Sequence, residues 1–327
     1  MRETIYADEP LSGDDSALDS VGHAEFATRV AGVLHSLRSE STSSVVSLVG
    51  PWGAGKTSTL NLTAALLADE ATPWITAFFN PWLFPDADSL LAGFLKTVQE
   101  AMPGDSEKGS QVRRRIGDFA ETISPVGKVT GLVGLDSSGL IEMVGKQLAK
   151  GPSSDQAQQA LTKELKKLKT PLLIVLDDLD RLAPAELLLT LKLVRLVGRL
   201  PYVFYLLAYD EETLLDTLSR TDLVGNDHAR ASAYLEKVIQ VRLDMPPLRN
   251  AQVGDLFNSG MEPILSRHPE ITLSSAPLAR LAEGYWLHLI HALRTPRAVK
   301  RLFAQFEVVV GLAAENEVDF VDLFFGS

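Results

Sequence analysis

The sequence predicts an α/β fold in which helices cover a parallel sheet and a helical lobe follows at the C-terminus. Strand, helix and strand alternate quickly between residues 172 and 209, and this order implies right-handed crossovers within a parallel sheet. The strand candidates are continuous apolar runs, which is typical of strands buried on both faces. After Pro246 and Pro247 only helical periodicity remains. We expect five strands in the spatial order 5-1-4-3-2.

Glycine and proline positions, together with hydrophobic periodicity, locate the individual elements. Helices are predicted over residues 24–36, 57–69, 88–102, 185–199, 211–219 and 231–236. Strands are predicted over residues 45–49, 74–80, 172–177, 202–209 and 238–243. Residues 103–108 and 127–139 are loop-like, and the stretches between and after them are helical up to Leu168.

These elements divide the chain into three parts. Residues 1–44 form an N-terminal segment and a helix that lead into the core. The core spans residues 45–248 and includes a helical insertion at about 104–170, and the helical lobe covers residues 249–327. At 327 residues, the chain is long enough for one complete α/β domain and a smaller second one.

The loop after the first strand carries the most specific motif. Its residues, Gly50-Pro51-Trp52-Gly53-Ala54-Gly55-Lys56-Thr57, fit the phosphate-binding pattern G-x-x-x-x-G-K-S/T. Glycines allow main-chain N–H groups to wrap around phosphate oxygens. Lys56 would reach the β and γ phosphates, and Thr57 would place its hydroxyl on Mg²⁺. The alternative is a glycine-rich turn that matches by accident, but the strand, the loop and the helix all agree with the motif. The residues expected to bind nucleotide here are Gly50, Trp52, Gly53, Ala54, Gly55, Lys56, Thr57 and Ser58.

The second half of the site is predicted at the third strand, where five apolar residues end in Asp177 and Asp178. A buried parallel strand delivers the acid at its C-terminal tip to the magnesium of a bound nucleotide, which makes Asp177 the metal ligand. Asp178 leaves the strand on the opposite side and could orient or deprotonate the attacking water, which favours hydrolysis over transfer to a substrate. Alternatively, Asp178 or Asp180 caps the helix that begins near Pro184.

Composition narrows the possible function classes. The chain contains no cysteine, which excludes disulfides and thiolate–metal chemistry. Its acidic first residues do not form a signal peptide, and the nearest candidate for a membrane helix, residues 129–135, is far shorter than the ~18 residues required. We therefore expect a soluble, cytoplasmic protein without a membrane span.

The charge balance argues against general affinity for nucleic acid. The net charge is −11, whereas nucleic-acid phosphates need a concentrated positive surface. Nucleic acid could still be contacted through a partner protein or directly through one of two local basic clusters. They lie at Arg113–Arg115 and at Lys163, Lys166, Lys167 and Lys169, and solvated helix faces are the alternative interpretation.

Six segments, taken together, resemble a known family. They are GxWGxGKTS at residues 50–58, FNxW at 79–82, DDLDR at 177–181, LLAYD at 206–210, YLEKVIQ at 234–240 and TPRAVKR at 295–301. In this order, and over nearly the whole length, they resemble the KAP P-loop NTPases, a branch near the STAND and AAA-type ATPases. The resemblance implies ATP and Mg²⁺ as ligands. Many relatives insert paired membrane helices before the acidic strand, and this chain has only the glycine-rich residues 126–140 there.

The resemblance also implies roles for single residues. Asp210, at the end of the fourth strand, would sense the γ-phosphate, although an ordinary helix N-cap explains it equally well. Val21 would lie near the adenine, where relatives often have Gly-Arg and this chain departs from them with His23. Trp52 and Trp82 would brace the nucleotide loop as packing residues.

The TPRAVKR segment has a physical interpretation of its own. Thr295 is a good N-cap and Pro296 a good first helical residue, so a helix should begin here. Arg297 then lies at the positive end of the helix dipole, where a nearby anion would compensate its charge. The resemblance implies that the lobe folds back and presents Arg297 to the nucleotide phosphates. Alternatively, the cations of this segment pair with surface acids.

Two function classes remain open at this point. The first is an ATPase whose hydrolysis drives conformational change or complex assembly with protein partners, in line with bacterial relatives that act in defence against phage or mobile DNA. The second is a nucleotide-gated scaffold with little turnover. A P-loop kinase is a weaker third interpretation, because no arginine-rich lid is evident. A homo-oligomer is compatible with the first class, since an arginine from a neighbouring subunit can complete such sites.

Overall fold

The computed structural model describes residues 9–38, 43–69, 73–84, 86–123, 152–197, 200–268, 275–289, 292–312 and 319–326. The helices are α1 His23–Arg38, α2 Lys56–Ala68, α3 Ala87–Ala101, α4 Glu107–Ile123, α5 Pro152–Leu168, α6 Pro184–Val197, α7 Glu211–Ser219, α8 His228–Glu236, α9 Asn250–Arg267, α10 Ser275–Gly284, α11 Pro296–Leu312 and α12 Phe320–Gly326. The strands are β1 Ser44–Val49, β2 Ile75–Phe79, β3 Leu172–Leu176, β4 Val203–Tyr209 and β5 Val241–Asp244. Short 3-10 turns cover Gly13–Leu18, Pro81–Leu83 and Leu179–Arg181, and a π-helical turn covers Tyr285–Leu289.

The five strands form one parallel sheet in the order β2-β3-β4-β1-β5. This is the predicted order 5-1-4-3-2, read from the other edge. Val49 lies opposite Tyr209, and Leu176 lies opposite Leu207, so β1, β3 and β4 end close to the same edge of the sheet. The residues that follow these strands therefore meet at that edge. They are Gly50, Asp177 and Asp210.

Side chains of each central strand pack alternately on the two faces of the sheet, as the period of two requires. Val46 and Leu48 of β1 pack with α1 and α2 through residues such as Leu34 and Leu60. Val45 and Val49 point to the opposite face, where they join the larger cluster formed by α3 to α8. Both faces are thus covered by helices, which explains why β1, β3 and β4 are buried throughout.

The lobe has an apolar cluster of its own, built on α9 to α12 and centred on Phe303, Phe306 and Phe324. The rings of Phe306 and Phe324 make an edge contact with centroids 4.9 Å apart. Helix α11 begins as predicted, because Thr295 Oγ1 accepts the main-chain N–H of Ala298 at 3.3 Å. The predicted boundaries between the three parts of the chain, near residue 44, at 104–170 and near residue 248, stay predictions.

Several boundaries differ from those predicted, three of them as follows. The last strand begins at Val241 rather than Val238, because residues 238 and 239 close a turn on the carbonyl of Leu235. Helix α8 begins at His228, since Asp227 caps it by accepting the N–H groups of residues 229 and 230. The predicted loop at 103–108 ends early because α4 begins at Glu107. The predicted loop at 127–139 lies outside the described residues.

The two basic clusters lie on helices α4 and α5, which pack against each other, except for Lys169, which follows α5. Their cations are mostly solvent-exposed, and some of them pair within their own helix. Arg115 lies 3.0 Å from Asp118, and Lys167 lies 2.9 Å from Glu164. Within the part of the chain that the structure describes, no helix is both long enough and apolar enough to span a membrane.

Candidate nucleotide site

The motif loop follows β1 and turns directly into α2. Gly50 donates its N–H to the carbonyl of Tyr209 at 3.2 Å, which ties the start of the loop to β4. Gly55 ends the loop in the left-handed region, with φ +89°, and a Cβ built there would lie 2.1 Å from Nε2 of His23. Only glycine fits this position, because both the main-chain conformation and the close approach of the histidine exclude a side chain.

Lys56, the first residue of α2, is buried inside the loop. Its Nζ donates to the carbonyls of Gly50 at 2.8 Å and Pro51 at 3.3 Å. Burial lowers the pKa of Lys56, and nearby carboxylates oppose this effect, with Asp180 and Asp210 the strongest of them. The loop thus holds a cation at its centre, bonded to main-chain carbonyls that a phosphate oxygen can replace as its partner.

Thr57 and Asp177 meet at the edge of the sheet. The hydroxyl of Thr57 donates to Oδ2 of Asp177 at 2.6 Å, although the two residues are 120 positions apart in sequence. A hydroxyl and a carboxylate are hard oxygen ligands, the type that Mg²⁺ takes when substrate phosphates and water complete its shell. The residues present therefore fit a magnesium–nucleotide site, and Thr57 and Asp177 are the two that would hold the ion.

Asp178 adopts a left-handed conformation, with φ +58°. Its carboxylate Oδ1 lies 3.0 Å from Nε of Arg181. Burial, followed by the charge of Asp177, raises the pKa of Asp178 against the opposing effect of Arg181. The side chain of Asp178 makes no cap hydrogen bond to the 3-10 turn that follows it, and Ala183, before α6, donates its N–H to Glu186.

A cavity of about 120 Å³ joins these groups. The residues predicted from the motifs that line it are Trp52, Gly53, Gly55, Lys56, Thr57, Ser58, Asp177, Asp178 and Arg297. The remaining lining residues are Glu9, Pro10, Arg181 and Lys300. The cavity therefore brings together the motif loop, the acidic strand end and the start of α11, which is the arrangement expected of a triphosphate site.

The chain before α1 crosses the start of α2 beside this cavity. The N–H of Leu11 donates to Oγ of Ser58 at 3.0 Å, and Asn61 Nδ2 donates back to the carbonyl of Leu11, also at 3.0 Å. Glu9 and Pro10, just before this contact, line the cavity. No sequence pattern pointed to this segment.

Arg297 approaches the motif loop from the lobe. Its main-chain N–H donates to the carbonyl of Gly53 at 3.5 Å, and its guanidinium stacks on the indole of Trp52 with 4.9 Å to the ring centroid. Arg301 and Arg181 lie over the same indole at 5.6 and 6.0 Å. Trp52 is 53% exposed and contacts cations at the surface of the site, and its predicted role in bracing the loop stays a prediction.

Asp210 is the N-cap residue of α7, which is one of the two predicted interpretations. Its Oδ1 accepts the N–H of Thr213 at 3.1 Å at the start of α7. Its charge also raises the pKa of Lys56, against the larger effect of burial. The cap is thus observed, and the phosphate-sensing role of Asp210 stays a prediction.

A second cavity, of about 240 Å³, lies on the other side of the motif loop. Its lining includes Val21, predicted as a base contact, together with Ala54 of the loop, Met245, Arg249 and Arg294. Apolar residues of the core and cationic residues of the lobe thus enclose a space next to the phosphate cavity, where a base and its ribose would follow the triphosphate.

The main chain that forms this second cavity is organised by Asp19. Its carboxylate accepts the N–H groups of Val21, Gly22 and Ala24 at 3.1, 3.0 and 2.7 Å. Burial alone would raise the pKa of Asp19, but these main-chain hydrogen bonds outweigh it and the pKa is lowered. His23 completes the arrangement, with Nε2 3.0 Å from the carbonyl of Ala54.

Comparison with known proteins decides the family. The sequence profile of the KAP family P-loop domain matches residues 23–313. The chain belongs to the KAP family. The phage T7 exclusion protein of Escherichia coli strain K12 is 25% identical over 314 residues, which cover 88% of this chain and 41% of that protein. This KAP chain therefore spans less than half the length of that relative.

Solved structures with some similarity to this KAP chain include three proteins of Aeropyrum pernix and Pyrobaculum aerophilum. The ORC1 protein of Aeropyrum pernix, solved in complex with DNA, is 18% identical with a TM-score of 0.42, covering 92% of this chain and 63% of its own. The ORC2 protein of Aeropyrum pernix is 15% identical with a TM-score of 0.42, covering 99% and 71%. Cdc6p of Pyrobaculum aerophilum is 14% identical with a TM-score of 0.45, covering 94% and 65%.

The motifs of this KAP domain indicated most of the phosphate cavity but missed part of its lining. Arg181 stands within the DDLDR motif, and its spacing of three from Asp178 was the available signal. Lys300 lies one turn after Arg297 on α11. Glu9 has no such signal, because its position depends on main-chain contacts of Leu11 with a helix 47 residues away.

Proposed function

We propose that this KAP domain binds ATP as its magnesium complex, hydrolyses it to ADP and phosphate, and couples the reaction to a conformational change or to complex assembly. The contact of Thr57 with Asp177 at 2.6 Å is the observation that carries the proposal. It joins the start of α2 to the end of β3, and the two groups are those that a P-loop site uses around its magnesium. An accidental glycine-rich turn gives no reason for this pairing.

Binding would divide between the two cavities. The triphosphate would lie in the cavity of about 120 Å³, where Lys56 exchanges its carbonyl partners for phosphate oxygens. The base would lie in the cavity of about 240 Å³ beside Val21 and Met245, where apolar contact favours a flat aromatic ring. The N-terminus of α2 faces the phosphate cavity and adds the favourable end of its dipole.

Hydrolysis would use Asp178 as the acceptor of the proton from the attacking water. Its raised pKa is closer to neutral than that of an ordinary carboxyl, which makes it a stronger base than an unperturbed aspartate. Arg297, from the lobe, would stabilise the charge that builds up on the transferring phosphoryl group. Bound Mg²⁺ would supply further charge neutralisation and would be held by Thr57 and Asp177.

Coupling would pass through α11. Because Arg297 contacts both the cavity and the carbonyl of Gly53, loss of the terminal phosphate removes a partner from the first turn of the lobe helix. A protein partner or a second copy of the chain could respond to that movement. A role in antiphage or mobile-element defence is supported by the similarity to a phage exclusion protein, whose further length this chain does not span.

A second candidate function is a nucleotide-gated scaffold with little turnover. The ion pair between Arg181 and Asp178 favours it, because a carboxylate held by an arginine is less available to deprotonate water. Phosphate release under multiple-turnover conditions, with Mg-ATP in large excess over protein, separates the two. Sustained release that Lys56→Ala abolishes supports the ATPase. Tight ATP binding with no release beyond one equivalent supports the scaffold, and absence of ATP binding contradicts both.

A further inference from the structure

Arg181 is held at the phosphate cavity by three separate parts of the chain. It ends the 3-10 turn after Asp178, and its Nε pairs with that carboxylate at 3.0 Å. Its guanidinium lies over the indole of Trp52 at 6.0 Å and over that of Trp82 at 5.8 Å. Trp82 is itself fixed in a short turn, because its N–H donates to Oδ1 of Asn80 at 3.1 Å. A planar cation with contacts to two aromatic rings keeps little freedom.

The guanidinium retains unused hydrogen-bonding capacity. An arginine has five N–H donors arranged as a fork, and an ion pair through Nε occupies one of them. Within the described part of the chain, the side chain of Arg181 forms its ion pair with Asp178 alone. Its side chain lines the same cavity as Lys56 and Thr57. The two terminal amino groups are therefore available to an anion in that cavity.

The position along the triphosphate follows from the neighbours of Arg181. Thr57 and Asp177 would hold the magnesium, which would neutralise charge on the terminal phosphates. Asp178 follows Asp177 directly and would face the water that attacks the γ-phosphorus. Arg181 is paired with Asp178 and therefore lies at the γ end of the cavity rather than at the α end.

We propose that Arg181 binds the γ-phosphate through its terminal amino groups while its Nε keeps Asp178 in place beside that phosphate. One guanidinium would thus fix the distance between the acid and the reacting phosphoryl group. The inference rests on the proposed nucleotide site and adds a residue to it. Arg297 reaches the cavity from the lobe, whereas Arg181 belongs to the core, so the core itself carries an arginine for the terminal phosphate.

The indole of Trp82 helps to hold the guanidinium of Arg181 in place. Trp82 is 54% exposed and does not belong to the apolar clusters of the core. Among the residues that the structure describes, its main contact in the site is the guanidinium of Arg181. Replacing Trp82 should loosen Arg181 without opening a cavity in the core. The neighbouring Leu83 is 67% exposed and provides a matched control in the same turn.

The test compares ATP with ADP, because a γ-phosphate contact affects only ATP. Affinities of the full chain for both nucleotides are measured by calorimetry with Mg²⁺, for the wild type, Arg181→Ala, Arg181→Lys and the control Arg301→Ala. Arg301 also lies over Trp52 but is not among the residues lining the cavity. We expect Arg181→Ala to reduce the ATP preference over ADP by about tenfold or more, the effect of losing a hydrogen bond to a charged group.

Two further variants, Arg181→Lys and Trp82→Leu, test the same proposal independently. Arg181→Lys should keep part of the ATP preference but lose kcat, since an ammonium cannot bind the phosphate and hold Asp178 at once. Trp82→Leu should lower the ATP preference in the same direction, whereas Leu83→Ala should leave it unchanged. If Arg181→Ala does not fold, Trp82→Leu and Arg181→Lys give the answer.

The outcomes separate this inference from the proposed function. An unchanged ATP to ADP ratio in Arg181→Ala, Arg181→Lys and Trp82→Leu, with wild-type ATP binding intact, overturns the role of Arg181 and leaves the nucleotide site standing. A wild type that binds ATP without turnover refutes the proposed hydrolysis, yet the affinity ratio still tests Arg181. Equal losses of ATP and ADP affinity would also contradict the inference, because they indicate a general effect on the loop.

Discussion

Arg297 and Gly53 touch each other although they belong to different parts of the fold. The N–H of Arg297 donates to the carbonyl of Gly53 at 3.5 Å, and a Cβ built on Gly53 would lie 2.7 Å from the Cβ of Arg297. Gly53 also has a φ of +81°, a conformation that L side chains rarely adopt. The start of the lobe helix therefore rests directly on the motif loop.

Arg297→Ala should bind ATP but lower turnover by a factor on the order of 10² or more, because arginines that stabilise the transferring phosphoryl group supply at least this much. Turnover is measured by phosphate release at saturating Mg-ATP. Arg301→Ala, four residues later on the same helix and over the same indole, is the control and should stay near the wild-type rate. A harmless Arg297→Ala, with a rate per chain that rises with protein concentration, would assign the arginine to a second copy. Arg220 and Arg230 are then the residues to test.

Lys56→Ala should abolish measurable ATP binding while the fold persists. The side chain donates to two loop carbonyls in the structure, and its loss removes the charge-assisted contact with the β and γ phosphates. Titration calorimetry measures the affinity, and far-UV circular dichroism checks the fold. Lys96→Ala, on the exposed face of α3, is the matched control. Undiminished ATP affinity in Lys56→Ala would refute the assignment of the loop.

The paired acids should behave differently when each is made neutral. Asp178→Asn should retain Mg-ATP but lose turnover, because an amide cannot accept the proton of the attacking water. Asp177→Asn should instead weaken the dependence on magnesium, since it removes the carboxylate that contacts Thr57. Turnover is titrated against Mg²⁺ for both variants. Wild-type hydrolysis by Asp178→Asn would exclude Asp178 as the base.

Gly55→Ala should destabilise the fold more than Gly225→Ala does. Both glycines have positive φ values, +89° and +67°, so alanine should cost about 1–2 kcal/mol at either position from main-chain strain alone. A Cβ at Gly225 meets nothing within 4 Å, whereas one at Gly55 collides with the ring of His23. Urea unfolding measures the difference between the two variants. Equal losses would mean that the histidine moves aside without cost.

Asp19→Asn should lower the free energy of unfolding at neutral pH by about 1 kcal/mol or more, because the charged acceptor of three N–H groups is lost. The pKa of Asp19 is lowered in the fold, so its stabilising effect is present above the ordinary value of 3.8 and fades as pH falls through the lowered pKa. The difference from wild type should therefore shrink in urea titrations near pH 3. Asp222→Asn, at an exposed turn, is the control, and a difference independent of pH would contradict the role of the charge.

The parts of the site that sequence predicted are those that depend on local pattern. A strand, a glycine-rich turn and a helix identify Lys56 and Thr57, and an apolar run ending in acids identifies Asp177. The C-terminal ends of parallel strands lie at one edge of the sheet and bring these groups together. The strand order expected for a P-loop NTPase was also confirmed.

The remaining parts depend on contacts between distant segments. Trp82 and Arg181 are 99 positions apart in numbering, and nothing in either local pattern states that one stacks on the other. Glu9 reaches the cavity next to Leu11, which is hydrogen-bonded to α2. The half-exposed state of Trp52 was equally hidden, because an aromatic residue in a loop is usually taken for a packing residue until its cationic neighbours are known.

The contact of Arg297 with Gly53 has a consequence for how such chains can evolve. A recombination event near residue 249 would join this core to a lobe from another gene. The first turn of the new lobe helix would then have to fit against Gly53, where the contact is close. The second cavity imposes the same demand, because Val21 and Ala54 come from one side of that junction and Arg294 from the other. Core and lobe should therefore be inherited together, and exchange between relatives should occur outside residues 21–301.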